Sequence, residues 1–381
     1  MGFLIGNVPN LRFPEFDGEW EVTDLKELGE FVGGGTPSSS NADFWKGSIP
    51  WISSSDLLEN DIHSVNISRF ITEDAIKNSA TKLCSSPVIL IVSRVGVGKV
   101  AYSEKILCTS QDFLNIINFK CNGLFLSYLL SIEMKKAVSI VQGTSIKGIS
   151  SSEIKSKKLS IPQKDEQQKI ASFISLIDER IQTQSKIIEG LKTLILCLRN
   201  QIFMQKIRFK NENGTDFSEW NKVKIGDILK IGSGKDYKYL QPGNIPVFGT
   251  GGFMTSVNDY LYDGETVCVG RKGTIDKPMY HKGKIWTVDT LFYTHSFQSC
   301  IPKFIFHLFR TINWLEYNEA SGVPSLSKTT IEKIKVQIPS LEEQHVISRV
   351  LSAIDKKIQI EKTILEQLEK QKKYLLKEMF I

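Results

Sequence analysis

The chain of 381 residues is 41% hydrophobic and 24% charged, with a formal net charge of +6. That length exceeds one ordinary core and predicts at least two domains, and the apolar content excludes a disordered tail. No run approaches the roughly 18–20 apolar residues of a membrane span. The six cysteines form no C-x-x-C pair, and the stretch before Phe16 holds Pro9, Glu15 and one arginine, so it is a poor signal peptide. These features predict a soluble cytoplasmic protein with reduced thiols and no membrane partner.

In chain order, Gly33 to Pro37 reads as a flexible loop and Thr72 to Lys82 as a helix. Val88 to Val92 reads as a buried strand closed by the turn Ser93-Arg94-Val95-Gly96, and Asn115 to Phe119 as another strand. A helix is expected from Leu124 to Val141, then a long one after Ile161-Pro162. The pattern then returns. Gly249 to Gly252 reads as a flexible loop, and Thr266 to Val269 as a buried strand closed by Gly270-Arg271-Lys272-Gly273. Pro302 to Glu316 reads as a helix, and a second long helix follows Ile338-Pro339.

The return is an internal repeat. Ile161-Pro162-x-x-x-Glu166-Gln167 matches Ile338-Pro339-x-x-x-Glu343-Gln344, Ile177-Asp178 matches Ile354-Asp355, and Phe203 matches Phe380, each pair 177 positions apart. The offset also superposes Arg94 on Arg271 and Asp112 on Asp289. Trp20 with Trp220, and Ile49-Pro50 with Ile245-Pro246, echo at larger offsets, as loop-length differences within one fold would produce.

Both long helices carry a heptad seam. In the first it runs Ile170, Ile174, Ile177, Ile181, Gln184, Ile188, Leu191, Ile195, Leu198, Ile202. In the second it runs Ile347, Leu351, Ile354, Ile358, Glu361, Leu365, Leu368, Lys372, Leu375, Met379. A helix of about 33 residues is about 50 Å long, and such a helix is marginal alone. Packing the two antiparallel about a pseudo-twofold axis buries both seams. The expected fold is therefore α+β: two mixed α/β domains joined by two long antiparallel coiled-coil helices with pseudo-twofold (cyclic) symmetry.

Catalytic signatures are missing. Gly98-Lys99 precedes Val100 and Gly234-Lys235 precedes Asp236, so neither is a phosphate loop. No G-x-G-x-x-G opens a βαβ unit, no Pro-Pro turn is present, and the five histidines lack metal-ligand spacing. Glu153-x-Lys155 has nuclease-like spacing but no preceding Pro-Asp, and reads as a solvated pair. Glu166 and Glu343 complement helix dipoles at helix starts, which explains them without catalysis. A binding module is favoured over an enzyme, with no metal and no cofactor on this chain.

The recurring polar positions are the candidates for nucleic-acid contact. Arg94 and Arg271, with Lys99, Lys272 and Lys277, lie on or near glycine-containing turns where the backbone can approach a ligand closely, and they suit phosphates and guanine edges. Lys235, Tyr237 and Lys238 form a basic and aromatic cluster. Thr36, Ser38, Ser53 and Ser55 have side chains suited to base edges and equally to turns, and Lys147 is expected near the same face. Trp45, Trp51 and Trp286 read as core or rim. The helix-packing candidates are Ile174, Ile177, Ile181, Ile188, Leu191 and Ile195, with Leu351, Ile354, Ile358, Leu365, Leu368 and Leu375.

In this order and in duplicate, the motifs resemble the specificity (S) subunit of type I restriction-modification systems. The first half contributes Gly34-Gly-Thr-Pro37, Ile49-Pro-Trp-Ile52, Ser93-Arg94-x-Gly96-x-Gly-Lys99 and Gly143-Thr-Ser-Ile-Lys-Gly-Ile-Ser150. The second contributes Gly234-Lys-Asp-Tyr-Lys238, Ile245-Pro-Val-Phe-Gly-Thr-Gly-Gly252, Gly270-Arg-Lys-Gly-Thr274 and Trp286-Thr-Val-Asp-Thr290.

The resemblance implies two target-recognition domains, residues 1–160 and 206–337, and two helical regions, residues 161–205 and 338–381. Each domain would read one half of a bipartite double-stranded DNA target. The helices would set the spacer and dock two methyltransferase (M) subunits holding S-adenosylmethionine. Restriction (R) subunits using ATP and Mg would join them. A free-standing DNA-binding regulator, and a nuclease or methyltransferase with a hidden site, are the competing readings. The resemblance assigns no contact residue, because these domains vary with the target.

Overall fold

The computed structural model describes residues 7–141 and 148–381. They form two compact units, one of residues up to Gln184 together with Ile364–Ile381, the other Ser185–Thr363.

The first unit runs β1 (Glu21–Asp24), β2 (Glu30–Gly33), β3 (Ile49–Ile52), β4 (Arg69–Ile71), α1 (Glu73–Lys77), β5 (Leu83–Cys84), β6 (Val88–Val92), β7 (Val100–Ser103), β8 (Leu107–Thr109), β9 (Phe113–Ile117), α2 (Gly123–Val141), α3 (Ser151–Lys155) and β10 (Lys158–Ile161), and enters α4 (Lys164–Phe203). Its sheets have the orders β2-β9-β6-β7 and β4-β3-β8-β5, beside a β1-β10 pair. β6 is apolar at every position because both its faces are covered. Ile89 and Ile91 face the core built with α2, while Val88, Leu90 and Val92 face the second sheet.

The second unit runs β11 (Asn221–Lys224), α5 (Ile225–Ile228), β12 (Lys230–Ser233), β13 (Pro242–Gly249), β14 (Gly252–Val257), β15 (Tyr262–Gly270), β16 (Met279–Thr287), β17 (Leu291–His295), α6 (Pro302–Phe309), α7 (Lys328–Lys333) and β18 (Lys335–Ile338), and enters α8 (Leu341–Glu378). Here one sheet has the order β12-β17-β15-β16-β13-β14, beside a β11-β18 pair. The wiring repeats. Glu21 pairs with Ile161 as Asn221 pairs with Ile338, and the parallel contact of Trp51 with Cys108 is matched by Val247 with Trp286.

The helices α4 and α8 have 40 and 38 residues, about 60 Å each at the α-helical rise. Each unit takes the start of one and the end of the other, which makes them antiparallel in both. In the first unit, Ile170, Ile174 and Ile177 share a core with Leu375 and Met379; in the second, Ile195 and Ile202 share one with Ile347, Leu351 and Ile358. Every packing residue expected from the heptads is buried or half-buried, including Ile181, Ile188, Leu191, Ile354, Leu365 and Leu368.

Local expectations shift for identifiable reasons. The helix expected over Thr72 to Lys82 is the five-residue α1, because the chain must turn to lay Ala80 and Thr81 against Gly35. The helix expected to Glu316 stops at Phe309, whose carbonyl accepts the Trp314 indole N–H at 2.8 Å. The expected loop Gly249–Gly252 is the turn of a paired hairpin, with Gly249 in register with Gly252. The expected loop at Gly33 to Pro37 is clamped. A Cβ on Gly34 would lie 1.9 Å from the Ser110 carbonyl oxygen.

Candidate nucleic-acid interface

In each unit the candidates gather around one turn. In the first unit it is Ser110–Asp112, between β8 and β9. Gly35 donates its backbone N–H to Thr109 at 2.8 Å, and its own carbonyl accepts the Trp51 indole at 2.9 Å. Ser110 donates to the carbonyl of Ile52 at 2.9 Å, which brings up the Ser53–Ser55 segment. The backbone N–H and the hydroxyl of Ser93 both donate to the Asp112 carbonyl, at 2.8 and 3.1 Å, fixing the base of the exposed Arg94 turn. The Thr36 hydroxyl donates to the Gln111 side chain.

In the second unit the turn is Val288–Thr290, between β16 and β17, and the contacts recur. Lys235 donates to Thr287 at 2.9 Å, and its carbonyl accepts the Trp286 indole at 2.9 Å. The two tryptophans, on strands that are not counterparts, make the same bond. Val288 donates to Phe248 at 3.0 Å, and Arg271 to Thr290 at 2.7 Å, with the Arg271 guanidinium also reaching the Asp289 carbonyl at 3.3 Å. A Cβ on Gly234 would lie 1.9 Å from the Val288 oxygen, as at Gly34. Exposed Lys235, Arg271 and Lys272 thus stand on one rim, as Thr36, Arg94 and the Ser53–Ser55 segment do in the first unit.

Other candidates are placed differently. The Lys99 ammonium donates to the carbonyls of Ser54 and Leu57, at 3.1 and 2.9 Å. Ser53 sits in a capping box with Asp56 and accepts from Arg69 at 2.7 Å, and Ser55 is exposed beside it. Ser38 is exposed and bonded to Ser40. Tyr237 packs against the cluster of Val247, Val257, Trp286 and Val288, while Lys238 is exposed with its backbone tied to the Asp236 carboxylate. Lys277 is exposed. Lys147 lies outside the described residues; its neighbour Gly148 has φ +106° and stands against the Ser93 carbonyl and Arg94.

Two duplicated polar assemblies escape the sequence reading. Glu166 and Glu343, read there as dipole partners, are completely buried. Glu166 receives two guanidinium bonds from Arg12 at 2.7 Å and the Trp20 indole at 3.3 Å. Glu343 receives Arg208 at 2.8 and 3.3 Å and the Trp220 indole at 3.1 Å. The adjoining glutamines join helix to helix. Gln167 donates to Pro162 and accepts from the backbone of Asn122 just before α2, while Gln344 donates to Pro339 and accepts from Ile301 just before α6. The Ile-Pro-x-x-x-Glu-Gln motif is a joint. The Trp20–Trp220 echo was its signal in the sequence.

The second assembly is the Ile-Asp position. Asp178 accepts from Tyr128 at 2.6 Å and pairs with Lys372 at 2.5 Å, with His63 at 3.4 Å. Burial pushes its pKa up, but the His63 hydrogen bond and the Lys372 charge outweigh burial and hold the carboxyl below its usual range. Its counterpart Asp355 stands 3.4 Å from Arg310 and 3.9 Å from the Nδ1 of His307, a histidine 1% exposed. Burial first, then Arg199 and Arg310, push the His307 pKa down to about 3 despite that carboxylate, because 3.9 Å is too long for a strong bond.

Among the described residues no group of three or more His, Cys, Asp or Glu side chains is placed to hold a metal ion, and no helix is long and apolar enough to cross a membrane.

Comparison with known proteins points one way. The family profile described as Type I restriction modification DNA specificity domain matches residues 17–193 and 217–370, once in each half. The chain is 32% identical over 260 residues to the type I restriction enzyme MjaIX specificity subunit of Methanocaldococcus jannaschii, covering 64% of this chain and 58% of that protein. That match therefore spans less than two thirds of the relative's length. Identity to the MjaVIII specificity subunit of the same organism is 24%, over 96% of this chain and 92% of that protein. In fold, the chain is similar to the crystal structure of a type I restriction-modification S subunit from M. genitalium, with TM-score 0.66, 20% identity, and 98% and 99% of the two chains covered.

Proposed function

Because the chain belongs to the type I restriction-modification DNA specificity family, we propose that it is the non-catalytic specificity subunit of such a complex. Its recognition domains, residues 1–160 and 206–337, each read one half of a bipartite double-stranded DNA target in the cytoplasm. The helical regions, residues 161–205 and 338–381, set the spacer between half-sites and dock two methyltransferase (M) subunits for adenine methylation. Restriction (R) subunits add ATP-dependent cleavage. S-adenosylmethionine belongs to the M subunits, ATP and Mg to the R subunits, and this chain holds no cofactor.

The observation that carries this reading is the contrast between shared scaffold and divergent rim. The tryptophan–carbonyl bond, the clamped glycine and the arginine turn recur in both units, while the side chains above them differ. One scaffold with two sets of rim residues is what reading two different half-sites requires. Each reader needs only a few base pairs, since tethered modules gain through effective concentration, and the base to be methylated leaves the stack for the M subunit's pocket.

The test is the methylated motif of DNA from cells expressing the chain with its M subunit. A bipartite adenine-methylated motif is expected, and exchanging residues 206–337 for those of a relative should change one half alone. A properly folded exchange that alters both halves overturns the two-reader assignment. Adding four residues to α4, about one helical turn, should lengthen the unread spacer.

A further inference from the structure

Arg69, on β4, is a rim residue to which nothing above assigns a role. Its Nη2 donates to the Ser53 hydroxyl at 2.7 Å and pairs with the Asp56 carboxylate, and its guanidinium lies over the Trp51 ring, 4.6 Å from the ring centroid. Asp56 and Trp51 are themselves buried, whereas the arginine side chain is 38% exposed. Among the described residues nothing accepts from its Nε or Nη1.

The anchor is fixed in turn. Asp56 accepts from the Ser53 backbone at 2.7 Å and from its hydroxyl at 3.1 Å, and the carbonyls of Ser54 and Leu57 hold the Lys99 ammonium. The Arg94 turn abuts the same segment, since a Cβ on Gly96 would stand 3.9 Å from the Ser54 side chain. A guanidinium gripped at one nitrogen and stacked on an indole has little rotamer freedom left to lose on binding. Pairing with Asp56 engages Nη2 alone and leaves two donor nitrogens at the rim, so neutralising that carboxylate does not exhaust the side chain.

The repeat supplies a control. Trp51 pairs with Arg69 across β3 and β4, and Val247 pairs with Thr255 across β13 and β14. Trp51 and Val247 are counterparts, because each also pairs in parallel, with Cys108 and Trp286, and because Ile49-Pro50 and Ile245-Pro246 fall on the same register. Arg69 therefore stands where the second unit has Thr255. Seventeen residues separate Trp51 from Arg69, and seven separate Val247 from Thr255. The longer connection contains the Asp56 anchor, and the shorter one contains no carboxylate.

We propose that Arg69 is a specificity-determining residue that donates to the N7 and O6 edge of a guanine in the half-site read by the first unit, an inference that rests on the DNA-reading function above. Guanine is the base whose major-groove edge offers two acceptors to a cation. A phosphate contact carries no sequence information and needs no such fixed direction. Thr255 offers a neutral hydroxyl, which suits donors and acceptors alike, so the second unit makes no equivalent demand at this point.

The test uses the full chain assembled with its M subunit and duplexes carrying the methylated motif. The first unit's half-site is the one that exchanging residues 206–337 leaves unchanged. Each of its guanines, on both strands, is replaced in turn by 7-deazaguanine, which lacks the N7 acceptor and keeps the base pair. Wild type should lose affinity about tenfold at one position, the ratio that one charge-assisted hydrogen bond supports. The double variant Arg69→Met/Asp56→Asn, which leaves no buried carboxylate unpaired, should bind the natural duplex about tenfold more weakly and be indifferent to 7-deazaguanine there. Arg69→Lys keeps a cation beside Asp56, but its single nitrogen is then engaged, so it should also lose that sensitivity. Insensitivity of wild type at every guanine, or sensitivity that survives in both variants, overturns this inference alone. Equal weakening of all sequences in the variants, with the motif unchanged, marks a phosphate contact and also overturns it. A wild type with no bipartite preference overturns the underlying function as well.

Discussion

The Asp178 carboxylate of α4, in the middle of the sequence, and the Lys372 ammonium of α8, near its end, meet at 2.5 Å with side chains 7% and 11% exposed. Lys372 also donates to the Asn60 carbonyl at 3.1 Å and lies over the Tyr128 ring. A lysine in a heptad seam is thereby made compatible with burial. Removing one member of a buried pair leaves the other uncompensated, at a cost of about 3–5 kcal/mol. Lys372→Met should lower urea stability by about that amount, and adding Asp178→Leu should recover part of it. Full additivity of the two losses would show that the charges are not coupled.

Acid should loosen the second unit first. His307 titrates near 3 in the folded chain and near 6.5 when unfolded, so the unfolded state binds the extra proton. Its contribution is complete above about pH 6.5 and fades as pH falls toward 3, by on the order of 4 kcal/mol in all. Denaturation midpoints between pH 7 and 4 should fall in wild type and fall less in His307→Leu. Equal slopes would reject the assignment. Asp178, with its depressed pKa, keeps its contribution at these pH values and loses it only below the usual carboxylate range.

Gly34 and Gly234 each face a carbonyl oxygen 1.9 Å from where a Cβ would stand. Because the obstacle is backbone, Gly34→Ala and Gly234→Ala should each cost about 3 kcal/mol locally. Gly34→Ala should blur recognition of one half-site and Gly234→Ala the other, read from methylated motifs. Unaltered motifs would mean the turns tolerate displacement.

The carboxylates of Glu166 and Glu343 are the hubs of their joints, so Glu343→Gln should expose the second unit to hydrogen exchange around Trp220 and Arg208 and leave the first unit protected. Uniform deprotection of both units would indicate a wider role. The charge-assisted bonds lost are worth about 1.5–3 kcal/mol.

On the rim, Arg271→Ala should cost about 1–3 kcal/mol of DNA affinity and relax one base position, if its guanidinium reads a guanine edge. Lys272→Ala should weaken all sequences alike and shallow the salt dependence by about one unit. Competition binding at two salt concentrations separates the two behaviours.

The repeat, the heptad seams and the arginine turns were legible in the sequence because identity at a fixed offset and helical periodicity are one-dimensional signals. The two joints were not. Arg12 and Trp20 reach Glu166 only after β1 has paired with β10, and nothing local in Arg12 or Arg208 announces a buried partner more than a hundred residues away. Trp51 and Trp286 make the same bond from different strands, a correspondence that alignment by position conceals. Lys99 shows the converse limit. A lysine beside a glycine turn reads as a phosphate contact until its ammonium is found on two carbonyls of its own unit.

The last turn of α8 lies inside the first unit, where Phe380 stacks on Phe125 with ring centroids 5.2 Å apart and Leu375 and Met379 fill the same core. During synthesis, then, the domain that leaves the ribosome first is the one that must wait longest. Its strands can pair early, but its core stays open until the final helix has been translated and threaded back. The second unit, whose segments are contiguous from Ser185 to Thr363, can close before it. The order of completion runs against the order of translation, and a ribosome stalled short of Phe380 would release a chain whose first half is the unfinished part.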